Sequence, residues 1–252
     1  MNKNFMKLFR KFERIRKMGW IESKRNGSTG IGYTFESLLN IQENSLPIPD
    51  YKNIEIKTMR ILSRKSIHLF NAAPDGDYLN YTERILNNLG YPCKKNKNFK
   101  VFMSAVKGEH YSYIGYDKKV KIKIDYANEK INLIAKDISN NDLKLDVSWS
   151  FELLKNKINN KIKYLALIKT KKKKENNKEF FHYVKIDFYE IKDFETFLKL
   201  LKDGIITITF KINVFTEGEK IGMIDNHGTD FSILENDIEL LYNKIDIFPK
   251  KN

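Results

Sequence analysis

The sequence predicts a mixed α and β protein of two lobes. Three observations carry this. The 252 residues are 41% apolar and 13% aromatic, enough to bury a real core in one large or two modest lobes. Segments with apolar residues every three or four positions alternate with segments where they recur every second position. The strand-like segments crowd between residues 99 and 149, short and separated by turn signals, as in an antiparallel meander or a set of hairpins.

Taken in order, Phe5, Leu8, Phe9, Phe12 and Ile15 keep helical spacing, so residues 3–18 form a helix packed on its own protein and ended near Gly19. "SKRNGSTGIG" is a loop broken by Gly27, Gly30 and Gly32. It lacks both the Gly-Lys-Ser/Thr ending of a P-loop and the strand before it. A basic, glycine-rich loop running into a helix can still hold a backbone phosphate. Thr34 is placed to cap a helix over "FESLLNIQ", with Glu36 in its first turn. Pro47 and Pro49 make "SLPIPD" an extended approach to the strand "NIEIKTMRIL". After the turn-rich "NAAPDGDYLN", a short helix over 81–89 stops at Gly90. The strands "KVFMSAV", "YSYIGYD", "KVKIKIDYA", "KINLIAKDI" and "LKLDVSW" follow, then a helix over "SFELLKNKIN". "YLALIKT" and "FFHYVKIDFYEI" read as strands joined by the basic loop "KKKKENN". "FETFLKLLKDG" is a helix with Gly204 just past its end. "IITITFKINVF" is a strand and "NDIELLYNKI" a last helix.

The formal net charge of +14 favours a polyanionic partner, nucleic acid or an anionic membrane surface. A composition rich in Lys, Asn and Ile, the residues of A/T-rich codons, would also raise Lys. The N-terminus has no unbroken apolar run of a secretory signal, and no stretch approaches the 18 or so apolar residues of a membrane span. The lone cysteine, Cys93, forms no internal disulfide and suits a reducing interior. A cytoplasmic protein is expected.

"PDYKNIEIKT", residues 49–58, concentrates the chemistry. Strand alternation puts Glu55 and Lys57 on one face and Ile54 and Ile56 on the other. Asp50 precedes a bend at Pro49 and Tyr51 that can fold it back toward Glu55. Two close carboxylates repel unless a cation lies between them, and Mg²⁺ suits hard oxygen ligands. Taken alone, an acid-x-Lys pattern is also what a solvated strand face shows in a chain with 31% charged residues.

The wider stretch "GSTGIGYTFESLLNIQENSLPIPDYKNIEIKTMR" resembles the catalytic segment of the MvaI/BcnI type of restriction endonuclease, itself similar to the mismatch-repair nicking enzyme MutH. The pattern is Gly-x-x-Gly-x-Gly, then Glu-x-Leu-Leu, then Pro-Asp, then Glu-hydrophobic-Lys. The resemblance continues through "HLFNAAPDG", "WSFELLKNKINNKIKYLALIKTKKKKENNKEFFHYVK" and "NHGTDFSI". It implies a restriction-endonuclease-like α/β core, with catalytic and DNA-recognition lobes flanking a cleft. Residues 1–92 would be mainly catalytic and 93–252 mainly recognition, with interleaving left open. It also implies a type II enzyme that hydrolyses phosphodiester bonds in duplex DNA at a short site by sequential nicking. Such an enzyme uses Mg²⁺, as one or two ions with Mn²⁺ as a substitute, acts as a monomer and has a cognate methyltransferase in the host. Asp50 and Glu55 would bind metal, Lys57 would position the attacking water, and Glu36 would support the site. DNA contacts would come from Arg25, Lys171, Lys172, Lys173, Asn226, His227, Asp230 and Ser232. Two other readings stand beside this one: a MutH-like strand-specific nicking enzyme of repair, and a non-catalytic DNA-binding protein.

The basic residues depart from the pattern. All seven Arg lie within the first 84 residues, leaving 39 of the 46 basic residues as Lys. Ser232 stands where the family's His-Gly-Thr-x-Phe motif is commonly followed by Arg. Arg is the usual bidentate reader of guanine, so a C-terminal lobe that reads bases must do so here with Lys, Asn, Asp, His or Ser.

Overall fold

Apolar side chains at intervals of three and four give the first helix one buried stripe, Phe5, Leu8, Phe12 and Ile15. That stripe lies on a sheet, and the rest of the chain adds two further sheets. The computed structural model describes residues 3–42, 48–61 and 66–248. Along the chain these form α1 (Lys3–Lys17), β1 (Ile21–Glu22), α2 (Gly30–Leu38), β2 (Glu55–Arg60), β3 (Ser66–Asn71), α3 (Tyr78–Leu89), β4 (Tyr91–Pro92) and β5 (Lys100–Val106). Then come β6 (Ser112–Ile114), β7 (Lys118–Asp125), β8 (Lys130–Asp137), β9 (Asp142–Leu143), β10 (Ser148–Ser150) and α4 (Phe151–Lys157). A π-helical turn (Ile158–Ile162) leads into β11 (Tyr164–Glu175) and β12 (Lys178–Ile191). The last elements are α5 (Phe194–Lys202), β13 (Ile206–Val214), β14 (Ile224–Leu234), α6 (Ile238–Leu241) and β15 (Tyr242–Ile245).

These elements make two compact units. The first gathers residues 1–65, 157–192 and 238–252, and the second gathers 66–156 and 193–237. The chain therefore does not divide after residue 92. Residues 66–92 belong with the second unit, and two later segments return to the first.

In the first unit the sheet order is β1-β12-β11-β2, with β15 on β12. β2 runs parallel to β11, with Glu55 opposite Leu165 and Lys57 opposite Leu167. α1 and α2 bury Phe5, Phe12, Ile31 and Phe35 against Ile54, Ile56, Ala166, Ile168 and Tyr183. The Phe35 and Tyr183 rings stand 4.9 Å apart. Asp187 on β12 takes Lys185 of the same strand and Lys244 of β15, each at 2.9 Å, and so ties that strand down. Burial pushes the Asp187 carboxyl up, but the two lysines outweigh it and hold it below the ordinary 3.8. A depressed carboxyl adds stability above its unfolded value and loses it as pH falls through the folded one. Asp187→Asn should therefore cost about 1 kcal/mol at neutral pH. In melts followed across pH the gap from wild type should close below about pH 3.8. A gap that persists in acid would show that charge is not its source.

The second unit has two sheets, β10-β8-β7-β6 with β9 on β8, and β3-β14-β13-β5-β4. Phe210 and Phe231 pack on the fully buried Trp149, whose indole N–H donates to the Ala72 carbonyl at 2.9 Å, and Phe70 stacks on Phe231.

Several sequence expectations need correction. The helix of Glu36 begins at Gly30, not after Thr34. Thr34 is buried inside it, and its hydroxyl accepts the Lys24 N–H at 3.0 Å. Gly30 belongs there because a Cβ would stand 2.3 Å from the Arg25 carbonyl oxygen. The lysines of "KKKKENN" are not in a loop. They extend β11, and only Asn176 and Asn177 turn, both with positive φ (47° and 62°), as a two-residue hairpin needs. β3, unassigned in the sequence, pairs with β14, and "DNHGTDFSI" is strand throughout. The last helix is one turn long, because Tyr242–Ile245 pairs with β12 instead. Part of "SLPIPD", including Pro47, lies outside the described residues.

Candidate active site

The site begins with the turn before β2. Tyr51 and Ile54 exchange both backbone hydrogen bonds, 3.0 and 2.9 Å, around Lys52, whose φ is +58°. This tight reversal brings Asp50 back along the strand, and its Oδ2 accepts the Ile56 N–H at 2.9 Å. Ile54 and Ile56 enter the core, so Glu55 and Lys57 emerge together on the other face. Lys57 Nζ donates to Glu55 Oε1 at 2.6 Å.

Glu55 is only 1% exposed, beside the buried Leu165, yet its Oε2 has no hydrogen-bond partner. Burial pushes its carboxyl above the ordinary range. Lys57 opposes that push, the Asp50 charge adds to it, and Lys161 also opposes it. Lys161 was not anticipated from sequence, where it is one lysine in a lysine-rich helical stretch. Its Nζ lies 3.8 Å from Glu55 Oε1. The π-helical turn delivers it, pinned by the Tyr242 hydroxyl donating to the Ile162 carbonyl at 3.2 Å. Burial raises the Tyr242 phenol, and the nearby Glu55 charge raises it further.

Glu36 lies elsewhere. Its Oε1 would be 3.6 Å from a Cβ on Gly32, close to where that Cβ would also meet the Thr58 hydroxyl, so it stands on the Ile56 and Thr58 side of β2. Its charge acts on Tyr183, whose hydroxyl donates to the Ile31 carbonyl at 2.9 Å.

The other predicted residues fall into both units. In the first, the Arg25 guanidinium stacks 3.9 Å from the centre of the Tyr33 ring. Lys171, Lys172 and Lys173 line β11 opposite His182, Phe181 and Phe180. Lys172 pairs with Glu179, and Lys173 pairs with Glu175 while lying 4.9 Å from the Trp20 ring. In the second unit, the Asn226 amide donates to the Thr82 hydroxyl at 3.0 Å and accepts the Gly228 N–H at 2.8 Å, which ties β14 to α3. His227 is exposed and pairs with Asp225 at 3.0 Å. Asp230 accepts contacts from His68 and Lys211, both at 3.2 Å. Ser232 sits opposite Thr207 and next to His68. The face that His68, Thr207, Thr209 and Lys211 share with Asp230 and Ser232 was not legible in the sequence, because β3 lies far along the chain from the β13–β14 pair that it joins.

The donor set fits a small divalent cation. Among the described residues no three His, Cys, Asp or Glu side chains converge on one point. Two carboxylates with an unpartnered, buried Oε2 are what remains, and an ion that keeps several of its waters needs few protein ligands.

Among the described residues no helix is long and apolar enough to cross a membrane. Comparison with known proteins gives one answer. No curated protein matches. The solved "Restriction endonuclease MvaI-cognate DNA substrate complex" is 28% identical, covering 97% of this chain and 98% of that one with a TM-score of 0.86. "Restriction endonuclease MvaI in the absence of DNA" is 27% identical, covering 98% and 99% with a TM-score of 0.65. The model of the MvaI/BcnI restriction endonuclease family matches residues 9–242. With the mixed α/β architecture and the Glu55–Lys57 pair, this match makes the chain a site-specific deoxyribonuclease that belongs to the MvaI/BcnI restriction endonuclease family.

Proposed function

We propose that the chain binds duplex DNA and hydrolyses its phosphodiester bonds at a short site, with Mg²⁺, one strand at a time. The observation that carries this is the buried Glu55 carboxylate, half of it bonded to Lys57 and half of it unpartnered. Asp50 and Glu55 would hold the ion. When bound it would polarise the scissile phosphate and acidify a coordinated water.

The chain's own residues do the rest. Asp50 is fixed by the Ile56 N–H, so its second oxygen is oriented before any ligand arrives. Lys57 is held by Glu55 and orients the attacking water toward phosphorus. Lys161 adds a second positive charge where negative charge develops on the phosphate oxygens. The apolar neighbours Leu165 and Leu167 keep bulk water away, which strengthens each of these interactions. Glu36 acts at one remove, by fixing the Thr58 side of β2. Arg25 and the β11 lysines supply phosphate contacts, and Asp230, Ser232 and His227 contribute to site reading. A monomer with one such site cuts one strand at a time, and a host methyltransferase would protect the same sequence.

Digestion of unmethylated phage DNA tests this. Discrete fragments should form with Mg²⁺ and vanish with EDTA, and sequenced fragment ends should share one short motif. A supercoiled plasmid carrying one site should pass through the nicked circle before becoming linear. DNA left intact at every divalent cation tried would overturn the proposal.

A further inference from the structure

The sheet β10-β8-β7-β6 is two-faced. Val120, Ile122, Ile124, Ile131, Leu133 and Ala135 are buried on one side. The alternate positions of the same strands carry Lys119, Lys121, Lys123 and Lys136 on the other. Lys119 lies directly opposite Lys136 in the antiparallel register. Like charges in that relation destabilise a sheet. Lys119 and Lys121 also converge on one ring, their ammonium groups 5.0 and 4.8 Å from the centre of Tyr111. The face is hollow. A cavity of about 520 Å³ is lined by Tyr111, Lys121, Lys123, Asn132, Lys136 and Lys144 among others.

Acidic groups offset little of this charge. Asp142 pairs with Lys136 at 3.1 Å, and Asp146 borders the cavity. Among the described residues Lys121, Lys123 and Lys144 have no carboxylate within ion-pair distance. A folded sheet that sets lysines against one another around a concavity is destabilised by its own charge until an anion arrives. Charge complementarity selects a polyanion, and the concavity suits a backbone that follows a groove.

The geometry points to this face as a second, sequence-blind phosphate surface that holds duplex DNA outside the cleaved site. The inference rests on the reading of the chain as a DNA endonuclease. It deepens that reading by adding a contact that the catalytic residues do not make. Each phosphate contact releases condensed counterions, so the face should contribute to the salt dependence of binding and nothing to sequence choice.

The test is a binding titration over a series of KCl concentrations. It uses Ca²⁺ in place of Mg²⁺ and two long duplexes, one with the cleaved sequence and one scrambled. The full-length triple variant Lys121→Gln, Lys123→Gln, Lys144→Gln is compared with Lys3→Gln, Lys7→Gln, Lys17→Gln. The second set removes the same charge from the exposed side of α1. For the first variant the plot of log affinity against log salt should become shallower by about 0.9 per neutralised phosphate given up, so by roughly 3. The loss of affinity should be equal on both duplexes. The α1 variant should keep the wild-type slope. Equal slopes for both variants, or a loss confined to the cleaved sequence, would overturn the proposal. Wild-type protein that neither binds nor cuts DNA would instead overturn the endonuclease reading, and this inference with it. Because all six lysines are on outer faces, matching far-UV spectra and melts would exclude misfolding as the cause.

Discussion

Glu55→Gln protein should leave DNA uncut, with the rate constant for Mg²⁺-dependent cleavage lowered on the order of 10³-fold, while still binding duplex DNA. The same change should make the metal-free protein melt higher. Burial raises the Glu55 carboxyl above its unfolded value of 4.5. A raised carboxyl contributes stability below pH 4.5 that is lost as pH rises through the folded-state value. Above pH 4.5 the wild type therefore bears a cost of burying this carboxyl that glutamine does not. Added Mg²⁺ should raise the wild-type melt and leave that of the variant where it was. Lys57→Ala should match the loss of cleavage, and Lys161→Ala should lose about 10-fold to 100-fold, since it stands further from the same oxygen. Robust cutting by Glu55→Gln protein would sink the assignment of the site. An unchanged melt would sink the account of the buried charge.

The largest expected effect on folding lies in the other unit. Trp149→Ala should cost about 3–5 kcal/mol in cavity and transfer energy, and more for the Ala72 carbonyl left without its donor. That is a large share of the roughly 5–15 kcal/mol that holds a typical domain together. Trp149→Phe keeps most of the packing on Phe210 and Phe231 and removes the hydrogen bond. It should cost about 1–3 kcal/mol, so urea titrations of the two variants separate packing from bonding. Equal midpoints for the two would show that the indole volume contributes little.

Much of this was legible because it is local. The stripe of α1, the alternation in β5, β7, β8 and β13, and the stop at Gly204 each need only neighbouring residues. Asp50, Glu55 and Lys57 share one short stretch, so a turn and a strand suffice to bring them together. What escaped was decided by distant partners. "GIG" reads as a breaker, yet Gly30 opens α2 because a loop presses against it. Leu240, Leu241 and Tyr242 suit a helix, and only β12 turns the last of them into strand. Four successive lysines look like a loop until Phe180, Phe181 and His182 stand across from them. Lys161 reaches Glu55 through β11 and the π-helical turn, a route that spacing in the sequence does not disclose.

The way the chain is threaded matters to the cell that makes it. Chains fold from the N-terminus as they leave the ribosome. Every residue of the second unit has been synthesised by Asp237, whereas the first unit still lacks α6 and β15. Tyr242 of β15 anchors the turn that carries Lys161. A chain that has reached Asp237 thus has Asp50, Glu55 and Lys57 but not the Tyr242 hydroxyl that supports the turn of Lys161. The turn that carries Lys161 is thus completed by a strand made only after the whole second unit.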